Sequence, residues 1–245
     1  MLKPKLIKIL EKLFALGGNH DTERLLEFRD EFLGFLKEDD QILMPHNNEN
    51  IVIAKDAIHF IDALNAYATT TNRVEAGSYV KHFFDRLIGS EKWNYYEIKF
   101  LIGVLSLTSD VKQALSLANK AIQALMDFGA DPRFQLLSGL IAYHTISRVL
   151  YAKFFENNHD IDLEDTFSQW LLKLKHQAIA EPELRIHFDV AEIKRAILMK
   201  DMQEINRLMQ DFEKNYDEKI VKVISNEVNF YIASKGYGLL YKGAG

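Results

Sequence analysis

Apolar residues along the chain return at three- and four-residue steps, the spacing that lines one face of an α-helix, and strand-like alternation is scarce. The periodicity is strongest in Val111, Ala114, Leu115, Ala118, Ala121, Ile122, Leu125 and Met126. Small side chains at Ala114, Ala118 and Ala121 let a neighbouring helix come close, as antiparallel helix hairpins require. Ile51 to Ile53 is too short for a strand and runs into Ala54-Lys55-Asp56-Ala57, so it opens a helix. Val221 to Ile224 is β-branched, but it continues at helical spacing through Val228, Tyr231 and Ile232.

Breaks in the pattern fall where helix-ending chemistry stands. Each of the prolines Pro4, Pro45, Pro132 and Pro182 lies where a helical stretch breaks or begins. Asp131-Pro132 and Glu181-Pro182 read as a polar cap followed by proline in the first turn, and Gly129 suits the left-handed residue that stops a helix. Asn72 with Glu75 and Asp201 with Glu204 resemble capping boxes. The pattern predicts about eleven helices, at 4–16, 22–37, 50–68, 73–88, 91–107, 110–128, 133–156, 163–179, 182–199, 202–214 and 217–234. Met44 to Asn50 is the clearest loop.

Short turns between medium helices imply antiparallel neighbours. The expected fold is all-α, with helix hairpins stacked as a tetratricopeptide-like superhelical array. A period of about 35–40 residues is suggested by the helix pairs beginning at Arg73 and Asp110, although tetratricopeptide signature spacing is not kept. No linker-like composition interrupts Leu2 to Ile232, so residues 1–235 are read as one helical domain and 236–245 as a frayed tail.

Composition narrows the function classes. A chain of 245 residues with 48% apolar content buries a large core without disulfides or metals. The absence of cysteine removes disulfide frameworks, thiolate zinc sites and cysteine nucleophiles, and fits a reducing cytosol. No apolar run approaches the ~20 residues of a membrane span. The first segment carries Lys3, Lys5 and Lys8 in place of a signal-peptide core, so a cytoplasmic location and no membrane contact are expected. A net charge of -5 offers no field for polyphosphate and argues against direct DNA binding. A DNA-binding domain would have to come from another chain.

Enzyme motifs are not found. Gly18-Asn19-His20-Asp21 matches a turn of calcineurin-like metallophosphoesterases, but neither Asp nor His precedes it to supply that family's earlier ligands. The stretch therefore reads as a glycine stop of the first helix followed by the Asp21 cap of the second. No histidine pair has the four-residue spacing of a zinc protease helix, and the two ligands of His187-Phe188-Asp189 would point to different faces. Gly236-x-Gly238 has no helix after it, no serine sits in a nucleophile elbow, and Asp39-Asp40 reads as a polar helix end. No catalytic residue, metal or cofactor is expected.

What remains is polar residues inside apolar helices. His144 and Arg148 lie one turn apart beside Tyr143, and a guanidinium in a mostly buried helix requires a partner. The readings are a carboxylate or carbonyl of a bound peptide, an internal salt bridge, or an arginine that snorkels to the surface. Asn226 and Asn229, near Tyr231, are poor helix-interior residues whose amides suit the backbone of an extended peptide, or simply the surface. Tyr143, His144, Arg148, Asn226 and Asn229 are the candidate peptide-binding set.

Leu87 to Phe100, with Trp93, the Tyr96-Glu97 pair and the apolar Leu101 to Leu107 after it, resembles the start of the C-terminal repeat domain of Rgg/MutR-type peptide-sensing bacterial regulators. The resemblance extends through the helical succession to about Ile232. It implies a tetratricopeptide-like array that binds a short peptide or partner protein, a role in transcriptional regulation, and a homodimer. Leu2 to Leu36 departs from that family, because it reads as two amphipathic helices and not as a helix-turn-helix domain. The expected function is therefore a non-enzymatic peptide- or protein-binding module, with an immunity- or antitoxin-like protein that blocks one cognate protein as the alternative.

Overall fold

A computed structural model describes residues 2–16, 22–39, 49–127, 132–156 and 160–234. Among the described residues there are eleven α-helices and no strand. The helices are α1 (Pro4–Ala15), α2 (Thr22–Asp39), α3 (Glu49–Thr70), α4 (Arg73–Gly89), α5 (Tyr95–Val104), α6 (Val111–Asp127), α7 (Pro132–Phe155), α8 (Leu163–Ala180), α9 (Arg185–Leu198), α10 (Met202–Asn215) and α11 (Glu218–Ser234). The Gly18–Asp21 turn, the loop through Pro45 and His46, the Gly129 and Asp131 signals, His159 and the 236–245 tail lie outside the described residues.

The one clear shift in helix boundary has a local cause. The helix expected from residue 91 begins at Tyr95, because the Asn94 side chain accepts from the Tyr96 and Glu97 N–H groups while Glu97 accepts from the Asn94 N–H. It then tightens into a 3-10 turn at Leu105–Leu107, and another 3-10 turn, Pro182–Leu184, leads into α9. The α6 seam is also rotated from the sequence reading. Leu117 is buried with Val111, Ala114, Ala118, Ala121 and Leu125, whereas Met126 is exposed.

Among the described residues, two non-glycine residues close helix ends in the left-handed region, Thr71 at φ 53° and Lys200 at φ 60°. At the end of α9 the Lys200 N–H donates to the Ile197 carbonyl and the Asp201 N–H to the Ala196 carbonyl, satisfying both.

The chain divides into two compact units, Met1–Ser109 and Asp110–Gly245. In the first, α3 packs on α1, α2, α4 and α5, and buries Ile53, Ala54, Ala57, Phe60 and Ile61. Phe14, Phe60 and Phe100 form a ring cluster beside it, joined by Phe83 through Phe100. In the second, α7 packs on α6, α8 and α9, while α9 carries α10 and α11. Fully buried Ile141, Ile146, Val149 and Leu150 on α7 each contribute roughly 1.5–3 kcal/mol. A helix surrounded in this way is apolar nearly all round, so its few polar side chains must find partners inside the unit.

Candidate functional site

Those partners converge on a lysine. Lys194 projects from α9 with only 3% of its surface exposed. Its ammonium donates to Ser147 Oγ at 2.8 Å and Tyr143 Oη at 3.4 Å, and pairs with Glu227 Oε1 of α11 at 2.9 Å. Tyr143 and Ser147 are one turn apart on α7, so a single cation ties α7, α9 and α11 together. Burial raises the Tyr143 phenol above its ordinary range, against the pull of Lys194.

His144 and His187 lie at the same place. The Tyr143 ring is 5.3 Å from His144 and 4.7 Å from His187, centroid to centroid. Burial, with His187 and Lys194 adding to it, pushes the His144 imidazole down to about 3. Burial and Lys194 lower His187 as well. Both imidazoles are neutral near pH 7, which spares the site two further cations around Lys194.

Arg148 is separate from this cluster. It is 1% exposed, and its Nη2 lies 2.6 Å from Glu156 Oε1 just beyond the end of α7. The adjoining aromatics hold α11 against α7: buried Phe154 and Tyr231 meet at 5.3 Å, and Phe155 meets Phe230 at 5.3 Å. Phe230 is nonetheless 54% exposed and Val223 is 64% exposed.

Of the sequence candidates, Tyr143, His144 and Arg148 turn inward, Asn226 is exposed and Asn229 is half-buried. Tyr143 and the asparagine pair are linked through Lys194 and Glu227, which lies between Asn226 and Asn229 in sequence. Sequence reasoning passed over Lys194. The signal was there: it sits at helical steps from Val190, Ala191, Ile197 and Leu198, all buried, so it lies on the apolar face of α9.

The first unit holds its own buried charge cluster. The Arg86 guanidinium of α4 donates to Asp56 of α3 and Glu97 of α5. Asp56 is 4% exposed, and its carboxyl is raised to about 7 by burial, with Arg86 opposing and Glu97 adding to the rise. His82 Nε2 stands 3.9 Å from Asp56, and the His59 and His82 rings are 4.2 Å apart, both imidazoles lowered mainly by burial. Trp93, Tyr96 and Glu97 of the regulator-like stretch all have packing or capping partners here. Trp93 Nε1 donates to the Leu87 carbonyl, Tyr96 stacks on Phe14, and Glu97 caps α5 while accepting from Arg86.

Among the described residues, no group of three or more His, Asp or Glu side chains is arranged to hold a metal ion, and no helix is long and apolar enough to cross a membrane. Comparison with protein-family models, curated proteins and solved structures finds no match.

Proposed function

We propose that this chain is a non-catalytic helical module, built from tetratricopeptide-like helix stacks, that binds a peptide or partner-protein segment along the outer flank of α11. The observation that carries this reading is the solvent-facing apolar stripe of Ile220, Val223 and Phe230, extended by Phe155 of α7. Val223, Asn226 and Phe230 follow at three- and four-residue steps and share one face. Exposed Lys219 and Lys222 rim it, and exposed Asn226 stands between Val223 and Phe230. Apolar anchors with a polar rim are the composition of a recognition surface, and contiguous exposed apolar patches mark such sites.

The candidate set divides its work in this reading. Asn226 and Asn229 offer amides to the ligand's backbone, while Tyr143, His144 and Arg148 hold the helices that present them. Lys194 and Glu227 fix the azimuth of α11, and so decide which of its faces meets solvent. A regulatory role in the cytoplasm, like that of the peptide-sensing regulators, fits a module that captures a segment without transforming it.

A photo-crosslinking amino acid placed at Val223 tests the proposal in cells of the source organism. A discrete protein or peptide adduct from Val223, and none from the still more exposed Ile179 of α8, supports it. No adduct at Val223, or the same adducts at both positions, rejects it.

A further inference from the structure

The α1–α2 pair of the first unit carries a second surface, independent of α11. Lys5, Lys8 and Lys12 follow one another at three- and four-residue steps on α1, and Glu31, Gly34 and Glu38 do the same on α2. The two helices face each other as an antiparallel ladder. Lys12 pairs with Glu31 at 3.5 Å at one end, and Lys5 pairs with Glu38 at the other. The middle rung sets Lys8 against Gly34, so Lys8 has no carboxylate partner among the described residues and its facing residue has no side chain.

That rung opens a groove of about 370 Å³, lined by the three lysines, the two glutamates and Gly34, with Ile9 and Phe35 as its apolar floor. The volume is in the range of pockets that hold a side chain or small ligand.

Gly34 is the informative residue. A helix interior penalises glycine relative to alanine, so a glycine there requires a reason. Packing supplies one for its counterparts. A Cβ on Gly77 would lie 2.5 Å from the Leu107 carbonyl oxygen, on Gly103 2.5 Å from the Phe60 ring, and on Gly139 2.2 Å from Leu184. Gly89 ends its helix. At Gly34, in the middle of α2, a Cβ would meet nothing within 4 Å. Among the described residues of this unit, none fills the space over it.

We propose that this groove docks a segment of a partner protein that places a carboxylate on Lys8 and a bulky apolar side chain over Gly34, against Ile9 and Phe35. The choice of occupant follows from charge: the lining carries three lysines against two glutamates, and both glutamates are already paired. A basic segment would meet the uncompensated Lys8. An acidic one completes the ladder.

The test is selection of phage-displayed random short peptides on the immobilised protein, followed by affinity measurement of the enriched peptides. The expected peptides carry Asp or Glu beside Phe, Trp or Leu. They bind the wild type at least about tenfold more tightly than Gly34→Leu, which fills the groove, and than Lys8→Glu. The Val223→Asp variant of α11 leaves their affinity unchanged, which separates this surface from the other. Gly34→Ala raises the thermal midpoint, because its methyl group enters open space and improves helix propensity. Equal affinity for Gly34→Leu, enrichment of peptides without acidic residues, or no enrichment at all overturns the proposal.

Discussion

The Lys194 ammonium lies 2.9 Å from the Glu227 carboxylate, and the two are unequally buried: the lysine side chain is 4% exposed and the glutamate 33%. This asymmetry makes the two truncations differ. Glu227→Ala strands a cation among Tyr143, Ser147 and two neutral imidazoles, and the expected loss is about 3–5 kcal/mol. Lys194→Met removes the buried charge and leaves a carboxylate that can turn to water, so the expected loss is about 1 kcal/mol. Urea denaturation of both variants checks the order. Equal losses would mean that the ion pair does not hold α11.

Asp56 gives the first unit a pH signature of defined sign. A folded pKa raised to about 7 from 3.8 means that the folded state holds this proton more tightly than the unfolded chain. Its contribution to stability is therefore full below pH ~4, falls as pH rises towards 7, and is gone above that. His59 and His82, lowered by burial, act in the opposite direction in acid, so the readout is the difference between proteins. The advantage of wild type over Asp56→Asn should shrink between pH 4 and 7, by up to ~1.4 kcal/mol per pH unit, and level off above. A difference that is flat with pH would contradict the buried carboxyl.

His144 carries the opposite sign in the second unit. Its folded pKa, pushed down to about 3, lies below the ordinary 6.5. The stability tied to the neutral ring is present above pH ~6.5 and lost as pH falls through the window towards 3. His144→Leu keeps a side chain of similar bulk with no titration. Unfolding free energies at pH 4.5 and 7 should differ less in the variant than in the wild type.

Much of the fold was legible because helical periodicity and end chemistry are local properties. The stretch from Met202 to Asn215, capped by Asp201, could be read from spacing alone. The start of α5 is legible by the same rule, since Asn94 and Glu97 have the spacing of a capping box, but the aromatic positions from Trp93 onward extend the helical pattern across it. The division at Ser109 was not legible, since no composition change marks it. For the candidate site, the sequence pointed to the right helices and to the need for a partner for Arg148. It did not say that the partner is Glu156, eight positions on, where the helix has ended. Lys194 was missed because lysine in a short α9 reads as a surface residue unless its helical face is drawn.

Gly77 provides a check on packing in the first unit. The oxygen that its Cβ would meet at 2.5 Å belongs to the backbone of Leu107, and backbone cannot swing aside as a side chain can. Arg73 donates to the neighbouring Ser106 carbonyl and fixes that turn further. Gly77→Ala should therefore destabilise the protein by about 1–3 kcal/mol despite its better helix propensity. A thermal midpoint at or above that of wild type would show that the α4 contact is looser than described.

The proposed role of α11, whose outer flank would meet a partner, is tested most directly by affinity. Val223 and Ile220 are exposed and stand outside the aromatic contact between α11 and α7, so Val223→Asp with Ile220→Asp leaves the fold intact by circular dichroism. Calorimetry of the partner captured at Val223 should then give a Kd weakened by about 100-fold or more, as expected for the loss of two apolar anchors. A Kd within about twofold of wild type would contradict the account.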